Sequence, residues 1–193
     1  MKLKNNLTAL SLIIMLFAAM NAYAQDDKYA DTYIAQTGIV HFFSEAPIEN
    51  IDATSKTATC AINTKTKKVS VKIKQTSFVF KDGMMQDHFN ENYMETDKYP
   101  YSILNMVIVE NIDFGKDGVY DVTLKGTLEM HGVKNEREIK GKLTVKNGQV
   151  VNAIAEFIVK LNDYKIKIPS VVGSNISENV KVNVDFTFER FHK

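Results

Sequence analysis

The chain has 193 residues, 45% of them hydrophobic, and 24 Lys and Arg against 23 Asp and Glu leave a formal charge of +1. A balance so close to neutral supplies no electrostatic basis for holding nucleic acid or an anionic membrane surface. Its one cysteine, Cys60, excludes an internal disulfide framework and is expected as a small buried hydrophobe rather than a nucleophile.

Lys2 and Lys4 precede the apolar run Leu7 to Ala19, and Ala22-Tyr23-Ala24 places small residues where a signal peptidase reads. Residues 1–24 are therefore expected to be a signal peptide cleaved before Gln25. The run is too short, and wrongly flanked, for a stable membrane span. Removing 24 residues from 193 leaves a mature chain of 169, long enough for one domain (residues 25–193) with a sizeable core. The leader takes two lysines and no acid with it, so the mature charge is near −1. Because Gln25 rather than Cys follows the cleavage site, a freely soluble periplasmic or secreted protein is expected, not a lipoprotein.

Residues Tyr33 to Phe43 and Ile48 to Asn63 supply strand-like material. Val69, Val71 and Ile73 then alternate with Lys68, Lys72 and Lys74, until Gln75-Thr76-Ser77 breaks the phase before Phe78 and Phe80, as a bulge or bend does. From Met84 to Met94 the period changes. Met85, Phe89 and Tyr93 recur every four residues, as on one helical face, with Asp82 placed to cap the start and Pro100 to stop the run. Ile103 to Val109 is apolar on both faces, which leaves its inward side open.

The clearest strand starts at Tyr120: Tyr120, Val122, Leu124, Gly126, Leu128 and Met130 share one face, and Asp121, Thr123, Lys125, Thr127 and Glu129 the other. Its partner, after a turn around Asn135, sets Ile139, Gly141, Leu143 and Val145 opposite Glu138, Lys140, Lys142 and Thr144, and Lys146-Asn147-Gly148 reads as a tight hairpin turn. The next strand puts Val151, Ala153, Ala155, Phe157 and Val159 on one face. The last puts Val180, Val182, Val184, Phe186 and Phe188 opposite Lys181, Asn183, Asp185, Thr187 and Glu189. About eight strands, each with one wet and one dry face, predict an antiparallel sheet closed into a barrel wide enough for one elongated ligand.

Three stretches taken together resemble the YceI-like family of secreted bacterial proteins: Gln86-Asp87-His88-Phe89 leading to Lys98-Tyr99-Pro100; Gly126-x-Leu128-x-Met130-His131-Gly132-Val133; and Asp163-Tyr164-x-Ile166-x-Ile168-Pro169. The resemblance runs from about Thr37 to Phe188. The chain departs from the family pattern in lacking the opening strand with a histidine at each end, in carrying Tyr101-Ser102-Ile103 after Tyr99-Pro100 where the family commonly has a Phe, and in having Lys160, or no counterpart at all, for the Arg that commonly precedes the Asp-Tyr element. The resemblance implies an all-β fold, a closed antiparallel eight-stranded lipocalin-like barrel with a short helix between two strands. It also implies an elongated apolar, isoprenoid-type lipid as partner and a carrier rather than a catalyst. By composition alone Phe78, Phe80, Met84, Met85, Phe89, Tyr93, Met130, Phe157, Tyr164 and Phe186 would be ordinary core. The resemblance assigns them, with Leu124, Leu128 and Val184, to a ligand-binding barrel lining. In this reading the helix gates one end, and Tyr164 or His131 faces the ligand's head.

Asp87, His88 and Glu91 are close together on the helix, but no second histidine stands at ligand spacing, so a solvated face is expected and no metal. His131 is expected to be a strand-end residue bonding its own turn backbone, with Gly132 supplying a positive φ. No G-x-S-x-G, H-E-x-x-H, phosphate loop or dinucleotide fingerprint is present, so no catalytic residues, cofactor or enzymatic activity are expected. The rival readings are an enzyme acting on a bound lipid or quinone in the same barrel, a filled barrel with an interaction role, and a small outer-membrane barrel. The sequence leaves the oligomeric state open, a dimer included.

Overall fold

The computed structural model describes residues 31–45, 50–167 and 177–191. The expected signal peptide, Ile48 and the Ile168-Pro169 end of the third motif lie outside the described residues. In chain order the elements are β1 (Thr32–Ser44), β2 (Ile51–Asn63), β3 (Lys68–Lys74), β4 (Val79–Phe80), α1 (Gly83–His88), β5 (Tyr101–Ile108), β6 (Gly118–Met130), β7 (Val133–Lys146), β8 (Gln149–Lys160), β9 (Asn179–Thr187) and β10 (Glu189–Arg190). Each strand pairs antiparallel with its neighbours in the order β1, β2, β3, β5, β6, β7, β8, β9, and β9 returns to β1. That last pairing closes an eight-stranded barrel. The two-residue β4 and β10 continue the lines of β3 and β9 along β2 and β1.

The expected strand phases hold over most of the wall. Val122 and Leu128 of β6 are buried, as are Ile139, Leu143 and Val145 of β7 and Phe186 of β9. The outer face carries the charge, and cross-strand pairs stand where the β6–β7 register sets them opposite: Asp121 with Lys142 (2.7 Å), Lys125 with Glu138 (3.1 Å) and Glu129 with Lys134 (3.2 Å). Such exposed pairs each contribute at most about 1 kcal/mol. Their position still decides one point. Most of the large apolar side chains of β6, β7 and β9 point into the barrel and most of the charged ones out, the reverse of an outer-membrane barrel, whose outer band is apolar. Among the described residues no helix is long and apolar enough to cross a membrane.

Structure refines the sequence reading in four places. The open segment is β5, and its inward residues are Ser102, Leu104, Met106 and Ile108. The β6–β7 turn is at His131-Gly132 rather than around Asn135, which lies inside β7 opposite Leu128. On β8 a register shift between Thr144 and Val145 of the partner strand makes Val150, not Val151, the buried residue, because a bulge moves the phase by one. The phase break at Gln75-Thr76-Ser77 is a single 3₁₀ turn between β3 and β4.

At Gly126 the β5 backbone lies so close to β6 that an added Cβ would meet the Asn105 carbonyl oxygen at 2.2 Å and Met106 Cα at 2.8 Å. No side chain fits there. Gly83, at the start of α1, has nothing within 4 Å of an added Cβ. Gly126→Ala is therefore expected to lower unfolding stability by about 3 kcal/mol or more, and Gly83→Ala to leave it unchanged or raise it by up to about 1 kcal/mol. Urea midpoints of the two variants measure this, and equal midpoints would contradict the close β5–β6 approach.

Candidate ligand-binding site

Within the barrel, two apolar chambers of about 140 Å³ and 80 Å³ are stacked along the axis. Ile73, Leu104, Phe157 and Val182 line both and form the waist between them. A cavity needs about 10 to 15 Å³ on this measure to hold one water, so each chamber is several times larger than a single-water void. Part of the lower chamber's wall is small: Cys60 on β2, Gly141 on β7, Ala153 and Ala155 on β8. No charged residue lines the upper chamber among the described residues. Lys142 touches the lower one, with its ammonium on the outer face against Asp121.

Phe78, Phe80, Met85, Phe89, Tyr93, Leu128, Met130 and Phe157 line the upper chamber, and Leu124, Val184 and Phe186 join Phe157 in the lower. Two of the expected lining residues face elsewhere. Met84 is 69% exposed, since the helical stripe that faces the barrel is Met85, Phe89 and Tyr93, and its neighbour in sequence is rotated out. Tyr164 is fully buried but lines neither chamber. It is packed in the wall, so it does not face a ligand head from there.

Phe42 of β1, whose face the Phe42-Phe43 pair hid in the sequence, stacks on Phe89 with ring centroids 5.5 Å apart and meets Phe78 edge-on at 5.1 Å. Phe80 lies 5.0 Å from Phe89, which completes a cluster of four rings beneath the helix. Asp82 caps α1, its Oδ1 accepting from Met85 N at 2.9 Å. The helix then widens into a π turn over Phe89–Tyr93, a form that often marks functional sites. Asp87, His88 and Glu91 stand exposed on its outer side. Burial raises the Tyr93 phenol above its usual pKa range.

The polar side of the mouth is built differently. His131 and Gly132 both have positive φ, +52° and +72°, so β6 and β7 join through a two-residue turn. The turn sends the His131 ring away from its own backbone. Nδ1 lies 3.0 Å from the Tyr164 carbonyl oxygen and Nε2 2.9 Å from the Glu95 carboxylate, both of them acceptors. Tyr99 meets the ring edge-on at 4.6 Å and lies where a Cβ on Gly132 would stand, 2.5 Å from it.

Beside this junction β7 and β8 pair only over Gly141–Lys146 with Gln149–Ala155. Past that point Arg137 donates to the Ile158 carbonyl, and Asn135 donates to the Asp163 carbonyl at 2.6 Å. Arg137 also approaches the Asp163 carboxylate at 3.7 Å. The guanidinium beside the Asp-Tyr element thus comes from β7 rather than β8. Tyr164, in the same wall, has its phenol pushed up by burial, with Arg137 opposing.

The family model for the YceI-like domain matches residues 35–188. The chain belongs to the YceI-like family. Solved structures share this barrel at low identity. A polyisoprenoid binding domain from Saccharophagus degradans, implicated in plant cell wall breakdown, has a TM-score of 0.66 at 16% identity, covering 84% of this chain and 99% of that one. BcnA of Burkholderia cenocepacia has 0.61 at 14%, covering 79% and 96%, and a Campylobacter jejuni YceI protein 0.54 at 19%, covering 72% and 86%. No curated protein matches the chain. In this YceI-like barrel residues of the three motifs meet at the junction of Tyr99, His131, Gly132 and Tyr164 beside the chambers, while Phe89, Leu128, Met130 and Ile166 of the same motifs line the upper chamber.

Cys60 lines the lower chamber, and burial pushes its thiol up to about 12. The neutral thiol is favoured, so the thiolate fraction near pH 8 falls by about three orders of magnitude against an ordinary cysteine. Reaction with a water-soluble aromatic disulfide should be about a thousandfold slower in the folded chain than in urea. The folded rate should also climb tenfold per pH unit past the point where the unfolded rate levels off. Equal rates in the two states would show that Cys60 is not buried.

Proposed function

We propose that this protein is an exported lipid carrier that buries an elongated apolar, isoprenoid-type ligand along its barrel axis, with α1 and the turn after it as the gate. The observation that carries the reading is the pair of stacked, predominantly apolar chambers, the upper of which has no charged residue in its lining among the described residues. The neighbouring domain described as polyisoprenoid-binding supports the same ligand class. The mechanism is burial without chemistry. Each CH₂ taken from water contributes roughly 0.8 kcal/mol, so even a short prenyl segment is held firmly. A ligand longer than the chambers needs the walls to yield, and Met85, Met94 and Met130 supply flexible side chains in the upper one.

Native mass spectrometry of the gently purified full chain should find a co-purifying uncharged apolar adduct, and a chain that never carries one would count against the reading. The gate has its own test. Phe89→Ala should speed release of the neutral probe N-phenyl-1-naphthylamine by roughly one to two orders of magnitude, the loss of about 1 to 3 kcal/mol of aromatic contact. His88→Ala, on the outer side, should leave release unchanged. Identical off-rates for the two variants, with intact far-UV spectra, would take the helix out of the binding site.

Export rests on the Ala22-x-Ala24 pattern and the Lys-flanked apolar run before it. The extracytoplasmic fraction should yield a chain whose N-terminal residue is Gln25. Recovery there of chains beginning at Met1 would contradict cleavage.

A further inference from the structure

Resting on the carrier reading, we propose that Gln75 and Ser102 form a head-group site in the upper chamber, which takes an uncharged head bearing a hydroxyl or carbonyl. Gln75 continues the inward face of Val69, Val71 and Ile73, and Ser102 begins the inward face of β5. They are 3% and 4% exposed, and both line the upper chamber. Among the described residues the Gln75 carboxamide makes one hydrogen bond, from Nε2 to Ser102 Oγ. That leaves the amide oxygen, the second amide N–H and the Ser102 hydroxyl proton for a guest.

Local structure does not need this carboxamide. The 3₁₀ turn is held through the backbone, with Gln75 N donating to the Pro100 carbonyl at 2.9 Å and Phe78 N to the Gln75 carbonyl at 3.2 Å. The neighbouring buried hydroxyls are occupied in the wall: Ser55 and Ser77 share a 2.7 Å hydrogen bond, and Ser44 donates to the Ser177 carbonyl at 3.3 Å. Burying an under-used amide in an apolar chamber is costly, and a guest that completes its hydrogen bonds removes the penalty. A charged head does not fit. The upper chamber offers no cation, and an unpaired buried anion is strongly disfavoured.

Farnesol, β-farnesene and farnesyl diphosphate share one tail and differ in the head, so their displacement of N-phenyl-1-naphthylamine from the full chain separates the possibilities. Farnesol should bind at least a hundredfold more tightly than the diphosphate. In the double variant Gln75→Leu, Ser102→Ala the preference for farnesol over farnesene should fall about tenfold, while farnesene itself binds as well as before. Retained farnesene binding shows that the variant is folded and its chamber intact. An unchanged farnesol preference in the variant, or diphosphate binding equal to farnesol, overturns the head-group site and leaves the carrier reading standing. Failure of all three probes overturns both.

Discussion

The pairing of β1 with both β2 and β9 is the constraint on which the rest depends, because it turns a sheet with an apolar face into a tube with an apolar lumen. An open sheet would have to cover that face with another layer; a closed one covers it with itself. Eight strands enclose a space that side chains can just fill, so whether a lumen remains depends on residue size. Here Cys60 on one side and Ala153 and Ala155 on the other leave room in the lower chamber, while Phe42, Phe78, Phe80 and Phe89 crowd one end. The cavity is thus a property of the wall's composition, not of a gap in its pairing.

The two sides of the crowded end are held by different physics. At the His131 junction, a short turn, a helix tail and the segment after β8 are tied by hydrogen bonds to a single imidazole and by Tyr99 seated against Gly132. Those bonds are directional and lose most of their value when stretched. The opposite side is four phenyl rings with no polar atom among them. Ring contacts tolerate sliding, and the apolar surface exposed by parting them can be covered again by another apolar group.

Much of this was legible. Strict alternation on β6, β7 and β9 placed their inward residues correctly, because a half-buried strand has only one phase compatible with its apolar face. The Met85, Phe89, Tyr93 stripe identified the helix face that meets the barrel. Met84 was misplaced for a physical reason: composition marks it as apolar, but only its angular position on the helix decides exposure. Tyr164 reads as a lumen residue in the sequence because aromatic and polar character together suit a ligand head. Its burial depends on Asn135 and Arg137 filling the place where β7 and β8 part, which no local pattern announces. Phe42 and Ser102 escaped notice because β1 and β5 carry apolar residues on both faces, so period alone could not orient them. Gln75 was visible only as a break in phase, although it stands on the same inward parity as Ile73.

On the carrier reading, the division of the mouth also decides which part opens. Parting the His131 side would strand a carboxylate, a carbonyl and a ring nitrogen, none of which an apolar ligand can satisfy. Parting the phenyl side exposes surface that the entering tail itself covers, so the ligand offsets the opening as it goes in. A short helix ending in a π turn suits that side, since it is too short to be stable alone and holds its shape mainly by the contacts it makes with the barrel. The polar junction then keeps the barrel end from unravelling while the aromatic side yields.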